Sequence, residues 1–190
     1  MNSKNDNSDK LIKTKNKALV RFLISALMLY ALWYVVYVLW LHPWKKLDLW
    51  VIDNLISISS AILTFFKYDL INFPYTDKLR TIGIDGSHGL WIGDPCNGLT
   101  LFALFAGFII AYPGRILWKL IYIPIGLITI HFINVLRIVG LSLVTFYCPQ
   151  YLNFNHTYTF TLLVYSYVFL LWYLWATKFA LKNSNNLNGN

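Results

Sequence analysis

One run of about 32 nearly unbroken apolar residues, Ile116 to Tyr147, limits what this chain can become. As a helix it is about 48 Å long, well beyond a hydrocarbon core of about 30 Å. Such a segment must tilt, kink at Pro124 or Gly126, or project beyond the membrane. Three further runs accompany it, from Ala18 to Leu41, from about Cys96 to Tyr112 and from about Thr157 to Thr177. Charged residues make up 13% of the chain, about half the share in a soluble domain. The expectation is an all-α integral membrane protein: a compact bundle of about four transmembrane helices forming a single domain over residues 18–178.

The termini and loops give this bundle a direction. Residues 1–17 are rich in Lys, Asn and Ser and read as a disordered cytoplasmic tail, as does the Asn-rich segment 179–190. The first apolar run is too long for a signal-peptide core and has no small-residue cleavage site, so an uncleaved span is expected. Residues 49–66 carry Asp53, Asn54, Ser57, Ser60 and Thr64 at helical spacing among Ile, Leu and Trp. That pattern fits an amphipathic helix at the surface or an additional span facing protein. A Gly-rich loop follows, with Thr81 to Gly86 suggesting a small hairpin or extended segment. The chain through Arg21, the 113–119 turn and the C-terminal tail carry ten Lys and Arg. The 42–95 loop carries five, against six Asp. This bias predicts both termini on the cytoplasmic side of the membrane and the long loop outside, with residues 49–66 at the outer surface. The cations flank apolar runs rather than forming one soluble face, which argues against nucleic acid as a partner.

With that topology, Cys96, Arg137 and His156 all fall near the outer boundary. Cys96 opens an apolar helix, where free N–H groups and the helix dipole favour a thiolate. Arg137 stands in otherwise apolar sequence, where a guanidinium is costly and usually has a role. Asn134 is on the same helix face. His156 precedes the last run and can serve as a general base. His131 and His88 are rival bases and Cys148 a rival thiol, or a disulfide partner for Cys96. The chain has no Glu, HExxH, GxSxG or CxxC, which excludes the common metal and serine centres and implies no metal or cofactor. A non-catalytic scaffold or a small transport subunit is the competing class.

Cys96-Asn97-Gly98 opening a helix, Asn134-Val135-Leu136-Arg137-Ile138 late in a long apolar stretch, and a His before the last span together resemble the exosortase/archaeosortase family. The resemblance covers roughly residues 83–178 and is nearest to small Bacteroidetes-type members. It implies a cysteine-type transpeptidase or peptidase with Cys96, Arg137 and His156 as a sortase-like set. The implied substrates are secreted proteins with a C-terminal sorting signal of short motif, hydrophobic span and basic cluster. On this reading Arg137 and the backbone N–H groups of Asn97 and Gly98 hold the oxyanion, and Asn134 orients Arg137. Many members have Ser where this chain has Asn97. The chain is also shorter than full-length members, which leaves room for a membrane partner protein.

Overall fold

The computed structural model of the chain describes residues 2–71 and 80–180. A first helix, α1 (Asn2–Val36), continues through a π-helical turn, Tyr37–Leu41, into α2 (His42–Trp44). Lys45, in the left-handed region at φ 52°, turns the chain into α3 (Lys46–Phe65). A two-stranded antiparallel hairpin follows, β1 (Thr81–Ile82) and β2 (Leu90–Trp91), with Thr81 opposite Trp91 and Ile82 opposite Leu90. A 3-10 turn at Asp94–Cys96 leads into α4 (Leu99–Ala111). After it come α5 (Ile116–Tyr147), α6 (Leu152–Phe154), a π-helical segment at Asn155–Thr159, and α7 (Phe160–Leu174). Six further π-helical residues, Trp175–Ala180, close the described chain.

Among the described residues, four segments are long and apolar enough to cross a membrane: Leu19–Trp44, Lys46–Phe65, Ile116–Tyr147 and Pro149–Phe179. The membership of this set differs from the expectation. The segment expected to span from Cys96 to Tyr112 is a helix of 13 residues, about 20 Å long and short of the hydrocarbon core. The physical reason is local. Gly98 at φ +81° interrupts helical geometry after Cys96, and Pro113-Gly114 prevents continuation. The region 49–66, read as either an amphipathic surface helix or an additional span, belongs to a 20-residue helix that meets the length and hydropathy requirement. At the amino terminus α1 begins at Asn2, so residues 2–17 continue the first helix outward from its apolar run. Once a helix is nucleated, each added residue contributes a hydrogen bond, and Lys is a good helix former. The expected C-terminal tail beyond Ala180 and residues 72–79 of the long loop lie outside the described residues.

Helices α1, α4, α5 and α7 run alternately up and down. At one end Phe22 of α1 packs edge-on against Phe108 and Tyr112 of α4, while Tyr37 beyond α1 reaches Asp48 at the other. Tyr122 near the start of α5 donates to the Leu171 carbonyl late in α7 at 2.8 Å and lies 5.1 Å from the Trp175 ring. Close approach depends on missing side chains. A Cβ on Gly126 would lie 2.1 Å from the Phe105 ring, and one on Gly140 would lie 2.5 Å from Phe160. Small residues facing aromatics are the usual means of tight helix packing where lipid removes the hydrophobic drive.

The overlong α5 runs from Ile116 to Tyr147 with Pro124 inside it, and its second half is covered by α3. Contacts progress along both helices in the same direction: Asn54 with His131, Ser59 with the Val135 carbonyl, and, just beyond α3, Tyr68 with Tyr147. Two apolar clusters result. One gathers Phe105, Ile109, Ile130, Val168 and Trp175 from α4, α5 and the last helical stretch. The other joins α3, the hairpin and the second half of α5 around Leu55, Ile92 and Ile138, and it includes Cys96.

Candidate active site

Cys96 does not stand on α4 but on the 3-10 turn before it. Its N–H bonds to the Gly93 carbonyl at 2.9 Å, and the Asn97 N–H bonds to Asp94 at 3.2 Å. The Asn97 side chain then caps α4, its Oδ1 accepting from the Leu99 N–H at 2.9 Å. Gly98 makes the turn possible twice over. Its φ of +81° suits glycine, and a Cβ there would lie 3.1 Å from Asn134 Nδ2. From α5 that amide donates to the Cys96 carbonyl at 2.9 Å. Main-chain and side-chain bonds therefore fix the cysteine from both flanks, and 8% of its surface remains exposed.

The structure brings the three expected residues together. Cys96 Sγ lies 3.5 Å from His156 Nε2, and Arg137 Nη2 lies 3.4 Å from the same nitrogen. A guanidinium only donates, so the ring nitrogen facing it must be the one carrying a lone pair, with the proton on Nδ1. That single lone pair faces both the guanidinium and the thiol, and it can take only one proton. His156 sits on the π-helical segment Asn155–Thr159, and its carbonyl accepts from Thr161 at 3.0 Å. Such bulges re-aim side chains and recur at functional sites. Phe160, seated at Gly140, fixes the start of α7 against α5 within one turn of Arg137.

The supporting residues are arranged differently from expectation. The Asn97 N–H is engaged by Asp94 inside the turn, so it is not free to hold an oxyanion. Asn134 does not orient Arg137; it is fully buried and holds the Cys96 carbonyl. This follows from the Cα path: the turn at Gly98 swings the Cys96 carbonyl toward α5, where the shorter side chain reaches it. Gly98 supplies conformation. The rival histidines lie elsewhere: His131 faces Asn54 at 3.2 Å, and His88 is on the hairpin loop. Both cysteines are free thiols, Cys96 buried and Cys148 exposed.

One residue of this site escaped the sequence reading. Asp48, in the first turn of α3, is 1% exposed. Its Oδ1 accepts from Tyr37 Oη at 2.7 Å and from Asn97 Nδ2. A carboxylate this buried should be paired, and here two donors share one oxygen. The available signal was an Asp bracketed by Leu47 and Leu49 at the start of an apolar helix. Asp48→Ala strands the Tyr37 hydroxyl and the Asn97 amide, so a loss of about 1–3 kcal/mol is expected in detergent unfolding. Asp48→Asn keeps an acceptor and should recover part of it; equal losses in both variants would refute the bonding account.

Cys96 and His156 line one end of a cleft of about 500 Å³. Its walls are Leu90, Trp91 and Gly93 on the hairpin side and Pro149, Gln150, Leu152 and Asn153 on the other. That volume lies in the range of sites for small ligands or peptide side chains. Three buried polar atoms here have no partner among the described residues: Arg137 Nε, Asn134 Oδ1 and Asp48 Oδ2. Comparison with family models, with curated proteins and with solved structures gives no match for this chain.

Proposed function

We propose that this protein is a membrane-embedded cysteine peptidase or transpeptidase of exosortase type. The observation that carries the reading is the contact of Cys96 Sγ and Arg137 Nη2 with one nitrogen of His156, at 3.5 and 3.4 Å, beside an open cleft. Three costly residues from three separate segments converge there. Interhelical glue would account for Arg137 alone, but not for a thiol and a base at proton-transfer distance.

The chemistry follows from the geometry. His156 Nε2 takes the proton of Cys96, and the sulfur attacks the scissile carbonyl. Negative charge then develops on the carbonyl oxygen. Arg137 is a fixed cation 3.4 Å from the ring nitrogen that also faces the sulfur, and its Nε has a hydrogen to donate. As the tetrahedral intermediate collapses, the imidazolium returns its proton to the leaving amine. The resulting thioester is resolved by an acceptor amine, giving transfer, or by water, giving cleavage. The substrates are secreted proteins with a C-terminal sorting signal, cut at the outer face of the cytoplasmic membrane. Both termini lie inside, and a membrane partner protein is compatible with the arrangement.

Thiol reactivity tests the contact itself. Iodoacetamide labels Cys96 faster in the wild-type protein than in His156→Ala, by about tenfold near neutral pH, because the base raises the thiolate fraction. The exposed Cys148 reports general reagent access in the same sample. Equal Cys96 rates in the two proteins would leave the histidine without a role.

A further inference from the structure

The wall of the cleft nearest Cys96 is the outer edge of a small sheet. Residues 69–71 pair with 83–85 through the Leu70–Ile84 bridge and bonds from Ile71 to Gly83 and Asp85 to Asp69. β1 continues that strand and pairs with β2. β2 is therefore the last strand of the sheet among the described residues. The ladder also tells which way its backbone faces. Ile92 N–H bonds to the Arg80 carbonyl at 2.8 Å, making Arg80 and Ile92 a hydrogen-bonded pair. In an antiparallel ladder such pairs alternate with non-bonded ones, so Thr81 and Trp91 form a non-bonded pair. The N–H and C=O of Trp91 consequently point away from β1.

They point along the cleft. Leu90 and Trp91 are consecutive residues of one strand, and their side chains project to opposite faces. Both nevertheless line the same cleft, as only its edge can provide. Leu90 is 9% exposed and Trp91 59%. The strand then passes through extended Gly93, at φ −100° and ψ 177°, directly into the turn that carries Cys96. A Cβ on Gly93 would lie 2.4 Å from the Trp91 ring, so the indole lies folded over this glycine. His156 is the only ionisable side chain besides Cys96 in the lining.

We propose that this edge binds the substrate: an extended, uncharged peptide segment adds to β2 as a further strand, exchanging main-chain hydrogen bonds with Trp91. The added strand delivers its next carbonyl to Cys96. Edge strands are natural templates for such addition, with the backbone supplying affinity and flanking pockets supplying side-chain preference. Leu90, Trp91 and Leu152 make those pockets apolar, and the Cys96 reading is the premise on which this assignment rests.

The test uses the full-length protein in detergent and a tetrapeptidyl chloromethyl ketone with uncharged side chains. Attack by Cys96 forms a thioether and expels chloride. Each of the four peptide nitrogens is N-methylated in turn. One substrate N–H alone donates to the Trp91 carbonyl, so methylation at one position lowers Cys96 labelling about tenfold and the others change it little. Trp91→Pro deletes an N–H that makes no ladder bond, at an edge position where proline is tolerated. It lowers labelling by the unmethylated probe about tenfold. A flat methylation series, or equal losses at all four positions, would overturn strand addition. Iodoacetamide labelling, run alongside, separates the two claims: if Cys96 reacts no faster than Cys148, the nucleophile itself is refuted.

Discussion

Cys96→Ala abolishes processing of a co-expressed secreted protein bearing the tripartite C-terminal tail, and the uncleaved precursor accumulates. Removing a nucleophile that acts with a base costs about 10⁴-fold or more, because the remaining groups have no covalent route to assist. The substitution is small in structural terms. Cys96 is held by its main chain, through Gly93 and Asn134, and neither bond involves the sulfur. Membrane abundance of the variant should therefore match wild type when measured by immunoblot. Unchanged processing with the variant abundant would end the enzymatic reading and leave a scaffold.

Arg137→Ala is expected to lower the processing rate by about 10²–10³-fold, the usual cost of losing one oxyanion donor. Arg137→Lys should recover little of this. An ammonium cannot keep one nitrogen near His156 while a second, now buried and unpartnered at Nε, meets the developing oxyanion. The readout that separates this role from a structural one is Cys96 alkylation. A donor that acts on the oxyanion leaves alkylation by iodoacetamide within a few-fold of wild type, since that reaction passes through no tetrahedral intermediate. Parallel loss of alkylation and processing would instead make Arg137 a support for His156 or for the thiolate.

Much of this was legible in the chain. Uninterrupted apolar length dictates membrane helices, since only a helix satisfies every backbone group within lipid. The charge bias put Cys96, Arg137 and His156 near one boundary, and in the folded chain Cys96 and Arg137 both meet His156. Helical rise is nearly constant, so position along a straight helix can be read from residue number. The supporting bonds were not legible for the converse reason. Whether Asn134 turns toward Arg137 or toward the Cys96 carbonyl depends on the left-handed turn at Gly98, and Asp48 meets Asn97 only because α3 folds back onto α5.

The same division holds for the stretch around Cys96. Its sequence alone determined a thiol at the mouth of an apolar helix, a glycine two residues on that can turn the chain there, and cations at the ends of the spans with Arg137 as the exception. Tertiary structure decided the rest. It shortened the expected second span to 13 residues and gave the overlong α5 a partner in α3. It also placed a sheet edge beside Cys96. Local steric and hydropathy rules act over a few residues and are written in the sequence. The pairing of groups 38 to 60 residues apart depends on which helix faces pack, and only the folded chain fixes that.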